Sequence, residues 1–266
     1  MMTKPLALVT GGNAGIGFEI SQILAVNGYN LVIAGIGDVE TAKKELEKLG
    51  SRVTAVRCNL ITAEGNQELI DAVKETAEPL NLLVLNAGIS VGGAFIDHSL
   101  EEHLNVISLD LLSPVRLTYG FLPDMIKAGG GKILFISSLS ATTPTPYESV
   151  YGPSKAFISS FANSIREELR DKNIQITTAH PGATATNFHA KAGMQTTAFG
   201  DNSWKNSPLD IAKQAYDALV QGKTNVACGD EDTQKAWITN HQLSDEEKAK
   251  IHAERAIPNS KLKRGM

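Results

Sequence analysis

Tyr151 and Lys155 stand four residues apart in the stretch Ser149-Val150-Tyr151-Gly152-Pro153-Ser154-Lys155-Ala156. On a helix that spacing puts both side chains on one face, with Cβ atoms about 5–6 Å apart. An ammonium beside a phenol favours the phenolate, so a tyrosine that ordinarily titrates near pH ~10 becomes a usable proton donor and acceptor. Alone, the pair carries little weight, since such a spacing arises by chance roughly once in a few hundred residues. Of the five tyrosines, however, only Tyr151 has a lysine four places on.

The elements that must position this pair can be followed from the N-terminus. Leu6-Ala7-Leu8-Val9 is a short apolar run of the kind buried on both faces of a sheet, and Thr10-Gly11-Gly12-Asn13-Ala14-Gly15-Ile16-Gly17 follows at once. Helical periodicity then runs through Phe18, Ile20, Ile23, Leu24 and Val26 to Gly28. Strand, glycine turn and helix in that order let backbone N–H groups and a helix N-terminus face a pyrophosphate.

Further strands are expected at 31–34, 52–56, 82–85, 132–136 and 174–178, with a last one near 225–228. Helices between them are signalled by Asp38, Thr62 and Ser207 as caps, and by the capping box Ser99-Leu100-Glu101-Glu102. The helix after Ser99 should run to Leu122-Pro123 with a kink at Pro114, which has no N–H for the carbonyl of Asp110. Alternating strands and helices imply a doubly wound α/β fold, a parallel sheet of about seven strands with helices on both faces. Ligands in such sheets bind at the carboxyl ends of the strands, where the motifs at 10–17, 35–38, 59 and 86–88 all fall. The whole chain, 1–266, is expected to be one dinucleotide-binding domain. Its irregular stretch 187–207 would serve as a mobile substrate lid, and a helical tail would occupy about 230–266.

Composition narrows the function classes. Lys plus Arg is 25 and Asp plus Glu is 29, a net charge of −4 that favours neither nucleic acid nor an anionic membrane. The basic end Lys261-Leu262-Lys263-Arg264 is expected to be a solvated tail. Cys58 and Cys228 form no paired motif, which points away from a disulfide framework or a cysteine metal site and toward a reducing, cytoplasmic setting. The N-terminal apolar run is too short for a secretion signal, and no stretch reaches the ~18–20 apolar residues of a membrane span. No histidine pair has a metal-ligand spacing with a third ligand nearby, so no metal is expected, and His98, His103, His180 and His189 read as spectators.

With these residues in place, the chain resembles the short-chain dehydrogenase/reductase family over nearly its whole length. Thr10 to Gly17 matches the family's Thr-Gly-x-x-x-Gly-x-Gly loop, Asn86-Ala87-Gly88 its Asn-Ala-Gly motif, and Tyr151 with Lys155 its Tyr-x-x-x-Lys. Ser138 stands thirteen residues before Tyr151, and Pro181-Gly182 with Thr186 is similar to the segment at the nicotinamide end. The resemblance implies an oxidoreductase acting on a small alcohol or carbonyl compound with NADP or NAD. Tyr151 would be the acid/base, Ser138 would hold the substrate oxygen, and Lys155 would tune the tyrosine and grip the ribose. It places the cofactor along Thr10, Gly11, Asn13, Gly15, Ile16, Gly17, Ile36, Asn59, Leu60, Asn86, Ala87, Gly88, Tyr151, Lys155, Pro181, Gly182, Thr184 and Thr186. It also implies a homodimer or homotetramer through the two long helices, with Phe157, Ile158 and Phe161 offering apolar area.

Three positions depart from the family pattern. Gly35-Ile36 replaces the acid or arginine after the second strand, so NAD and NADP both stay open with a slight lean to NADP; Asp38 there reads as a helix cap. Asn59 replaces an aspartate common after the third strand. Asp110 stands where the family usually has a catalytic asparagine, so it joins Ser138, Tyr151 and Lys155 as a catalytic candidate whose charge would partly offset the lysine. Asp110 and Gly35-Ile36 also keep open a second class, a cofactor-binding sensor that has lost turnover. Phe95, Thr143, Tyr147, Phe188, Met194 and Phe199 are the expected pocket lining.

Overall fold

The computed structural model describes residues 4–260, so the tail at 261–264 lies outside the described residues. Seven strands form one sheet: β1 (Leu6–Thr10), β2 (Asn30–Gly35), β3 (Val53–Arg57), β4 (Leu80–Leu85), β5 (Gly131–Ile136), β6 (Ile174–Pro181) and β7 (Asn225–Cys228). Their order is β3-β2-β1-β4-β5-β6-β7, every neighbouring pair parallel. The order reverses between β1 and β4, the point at which such sheets open a crevice for ligands.

The strands read as unbroken apolar runs because both faces are covered. Leu6, Leu8, Leu83, Leu85, Ile133 and Phe135 point to one side, against α3 (Ala63–Glu75), α5 (Ser113–Lys127) and α6 (Tyr151–Glu168). Ala7, Val9, Leu82, Val84, Leu134 and Ile136 point to the other, against α1 (Gly15–Val26), α2 (Val39–Glu47) and α8 (Pro208–Val220). The period of two along each strand thus feeds two cores. Phe135 is fully buried in the first, and its truncation to alanine should cost about 3–5 kcal/mol.

The expected caps are present: Asp38 accepts from the Thr41 N–H at 3.0 Å, Thr62 from Gly65, Ser207 from Asp210, and Ser99 forms the full capping box with Glu102. The helix after Ser99 differs from its expectation. It is not one rod kinked at Pro114 but α4 (Leu100–Ile107), a π-turn over Ser108–Leu112, and then α5, which continues past Pro123. The Ser113 N–H reaches back five residues to the Ser108 carbonyl. Pro114 sits in the first turn of the new helix, where its missing N–H costs little, so the ladder resets ahead of it instead of bending around it.

The segment 187–207 has more structure than its sequence pattern suggests. It holds α7 (Phe188–Lys191) and a 3₁₀ turn at Ala198–Gly200, and Met194 is completely buried. Its order comes from partners distant in sequence: the Gly92 N–H donates to the Ala192 carbonyl, and Phe199 packs with Ala256. The C-terminal region folds as α9 (Glu231–Asn240) and α10 (Asp245–Ala256), the latter begun by a second capping box at Ser244 and Glu247.

Candidate active site

The cradle at the end of β1 is built by hydrogen bonds that cross the switch point. Thr10 Oγ1 accepts the N–H groups of Asn86 and Ala87 at 2.9 and 3.0 Å, while the Asn86 amide donates to the Thr10 carbonyl at 2.9 Å. Gly11 takes a φ of 65° and Gly15 one of 54°, conformations that side chains resist. At Gly17 a Cβ would collide with the Gly11 carbonyl and the Asn86 amide. Helix α1 begins at Ala14 with no side-chain cap and no acid in its first turn, whereas α2, α3, α4, α8, α9 and α10 are capped by their own side chains. Its first N–H groups are thus left for an anion, and a dinucleotide pyrophosphate fits what this cradle lacks.

Beyond the cradle, Asn13 lies over the end of β2, where a side chain on Gly35 would strike it. Asp38 is committed to its cap, which holds its carboxyl below the usual range through the Thr41 N–H. Ile36 is exposed, Leu60 is buried, and Asn59 Oδ1 accepts from the Ile61 N–H at 3.1 Å to open the turn into α3. These residues sit at the carboxyl ends of β2 and β3, outside the main cavity. That cavity, about 1000 Å³, is lined by Gly15, Ile16, Asn86, Ser138, Tyr151, Lys155, Pro181, Gly182, Thr184 and Thr186. One crevice therefore holds motif residues from both halves of the sheet, while Thr10, Gly11, Gly17, Ala87 and Gly88 lie outside its lining.

Around Tyr151 the geometry departs from the simple picture of a lysine activating a phenol. Tyr151 opens α6, its N–H donating to the Glu148 carbonyl at 3.0 Å, and Lys155 follows one turn on, buried. Lys155 Nζ lies 5.5 Å from the Tyr151 ring centre but 3.1 Å from Asp110 Oδ2, and it donates to the Ile136 carbonyl at 3.4 Å. The π-turn carries Asp110 into this position, 1% exposed, with its other oxygen accepting the Ile89 N–H at 2.8 Å. Asp110 Oδ2 has ion-pair distance to the lysine without hydrogen-bond alignment. Gly88 makes room for the pair, since a Cβ there would stand 2.8 Å from Asp110 Oδ2 and 3.1 Å from Lys155 Nζ.

The electrostatic outcome is opposite in sign to the expectation. Burial first, then the charge of Asp110, then that of Glu148, hold the Tyr151 phenol well above its ordinary value; only the Ser138 hydroxyl pulls the other way. Burial likewise pushes the Asp110 carboxyl up, against the pull of Lys155 and the Ile89 N–H. The sequence shows Lys155 four residues on, but not that a buried carboxylate claims it first.

Of the expected pocket residues, Phe188 and Phe199 do line the cavity, as does Thr143, and the Phe188 ring lies 5.2 Å from that of Tyr151. Met194 is core, and Phe95 is half-exposed, stacked on His103. His189 lines the cavity and stacks on Phe199 at 5.2 Å, and burial pushes its imidazole down to about 4. His252 and Glu148 also line it and were missed, because no motif marks them and the docking of α10 is not readable from local pattern. Cys58 and Cys228 are buried, their thiols pushed up to about 11 and about 12. Among the described residues no cluster could hold a metal ion and no helix is long and apolar enough to cross a membrane.

Comparison with known proteins identifies the family. A model of the short chain dehydrogenase family matches residues 5–196. The oxidoreductase UcpA of Salmonella typhimurium is 33% identical over 187 residues, covering 70% of this chain and 71% of that protein. The human dehydrogenase/reductase SDR family member 4 is 29% identical over 190 residues, 70% of this chain and 68% of its own. In structure, a short-chain dehydrogenase/reductase from Burkholderia phymatum in complex with NAD superimposes with a TM-score of 0.81 at 20% identity, covering 98% of this chain and 99% of that one. A short-chain dehydrogenase from Sphingobium yanoikuyae in complex with NADPH gives 0.77 at 23% identity, over 84% and 87%.

Proposed function

The chain belongs to the short-chain dehydrogenase family, and from that premise we propose that it is an NAD(P)-dependent oxidoreductase interconverting an alcohol and a carbonyl compound, with Tyr151 as acid/base. The observation that carries this reading is that Ser138, Tyr151 and Lys155 share the wall of the cavity that also reaches the uncapped start of α1. When bound, the nicotinamide supplies or receives the hydride.

The protein's own residues do the rest. Thr10, Asn86 and the glycines of the loop shape the cradle, and the free N–H groups of α1 receive the pyrophosphate. Pro181, Gly182, Thr184 and Thr186 border the nicotinamide end, and the 187–207 segment covers the substrate through Phe188. Ser138 orients the substrate oxygen. Tyr151 carries its proton at neutral pH, as an ordinary tyrosine does, and exchanges it with the substrate oxygen; burial and two carboxylates make the phenol a weaker acid than it would be in water. Lys155 grips the ribose and faces Asp110, which sets where its charge sits.

Assembly as a homodimer or homotetramer is supported by exposed Leu104, Leu112, Tyr119 and Phe157 on α4, the π-turn, α5 and α6. Ile158 cannot contribute, because it is buried against the sheet. A second reading, a sensor without turnover, draws on the Asp110–Lys155 contact, which diverts the lysine from the phenol. A panel of ketones and aldehydes with NADPH and NADH, followed at the reduced-nicotinamide absorbance, separates the two. Turnover lost in Tyr151→Phe supports the enzyme; cofactor binding with no turnover, unchanged by that substitution, contradicts it.

A further inference from the structure

Glu148 lies three residues before Tyr151, is 3% exposed, and lines the same cavity. Its Oε1 accepts the Ser90 hydroxyl at 2.8 Å, and its Oε2 lies 3.4 Å from His252 Nε2 of α10. That second approach is close enough for attraction but lacks hydrogen-bond geometry, and His252 Nε2 has no hydrogen-bond partner among the described residues. A carboxylate beside the ring favours the tautomer with the proton on Nε2, so an acceptor and a donor stand side by side with bonding capacity unspent. The backbone fixes this placement: Tyr147 takes a φ of 67°, a left-handed conformation unusual for a bulky residue, and its carbonyl accepts the Gly93 N–H at 2.9 Å. Phe199, between His189 and His252, makes the adjoining wall apolar.

We propose that Glu148, with His252, is a specificity-determining site that selects carbonyl substrates carrying a second, hydroxyl group and rejects those carrying a carboxylate. A hydroxyl can donate to Glu148 and accept from His252 together. An alkyl end satisfies neither, and a carboxylate end meets a buried like charge. The proposal rests on the oxidoreductase reading for its reaction but names the groups that choose the substrate.

The test uses the full-length protein with NADPH and a matched series of methyl ketones ending in hydroxyl, methyl or carboxylate. Wild type should prefer the hydroxyl over the carboxylate end by on the order of 100-fold in kcat/KM. Glu148→Gln, which keeps the shape and the Ser90 contact, should raise kcat/KM for the carboxylate ketone about tenfold, chiefly through KM, and lower it for the hydroxy ketone. His252→Phe removes the donor and keeps the carboxylate, so it should lose the hydroxyl preference and still reject the carboxylate. Equal use of the three ends by wild type, or a Glu148→Gln effect that scales all three alike, overturns the proposal. Calorimetric binding of the same series to Tyr151→Phe with NADPH reads selectivity without turnover. A hydroxyl preference there together with an inactive wild type would contradict the oxidoreductase reading alone; binding without preference, or no binding of any member, overturns the specificity site alone if wild type turns over.

Discussion

Two buried carboxylates flank Tyr151, and they are held differently. Asp110, on the π-turn, is pinned by a backbone N–H from Ile89 and faces the ammonium of Lys155. Glu148, on the loop before α6, is held by the side chain of Ser90 and an imidazole from α10. The two anchors are consecutive residues of the segment that leaves β4, so one short stretch of chain fixes both charges. Both raise the Tyr151 pKa, Asp110 more strongly. The difference teaches that equal charges near one phenol can be given separate settings: the first is paired with the Lys155 ammonium, the second has only a loose partner and lines the cavity.

The largest effect that would sharpen this contrast is at the phenol itself. Tyr151→Phe removes the proton donor and should lower kcat by about 10²–10⁴-fold while cofactor affinity, read by fluorescence titration, holds. Gly17→Ala, on the cradle away from both carboxylates, should do the reverse. Its methyl group collides with the Gly11 carbonyl and the Asn86 amide, so cofactor binding weakens while any residual turnover keeps its pH profile.

Next in size is the asymmetry of the Asp110 pair. Lys155→Met leaves a buried carboxylate without its cation and should destabilise the fold by about 3–5 kcal/mol in denaturant titrations; Asp110→Asn should cost less. The sign with pH follows from the raised Asp110 pKa, which rises further without the lysine. A carboxyl raised on folding stabilises below its unfolded pKa and loses that contribution as pH climbs through the folded value, so Lys155→Met should be more damaging at alkaline than at mildly acidic pH. The smallest effect is at the far wall. His189 is held down to about 4 by burial first and by Lys205 second, and Lys205→Met should move its imidazole titration upward by a fraction of a unit in NMR, leaving Tyr151 untouched.

Much of this was legible in the sequence, and the reason is local. Leu6 to Val9 and Leu82 to Leu85 read as two-face-buried strands because both faces are buried. Asp38, Thr62, Ser99 and Ser207 read as caps because a cap spans only a few residues. Tyr151 and Lys155 could be paired because four residues make about one helical turn, while Ser138 joined them only through the family resemblance. What local pattern could not carry were contacts across the chain: the π-turn that turns Asp110 toward Lys155, the burial that reverses the shift of Tyr151, and the docking of α10 that brings His252 to Glu148. The 187–207 segment looked irregular for the same reason, since Met194 and Phe199 are ordered by Gly92 and Ala256.

The pH dependence of kcat/KM in wild type and Asp110→Asn tests the central claim most directly. Removing the Asp110 charge lowers the Tyr151 pKa, so in the reduction direction the alkaline fall in rate should begin at lower pH in the variant, and in the oxidation direction the rise should do so too. Superimposable profiles would show that the carboxylate beside Lys155 does not govern the tyrosine.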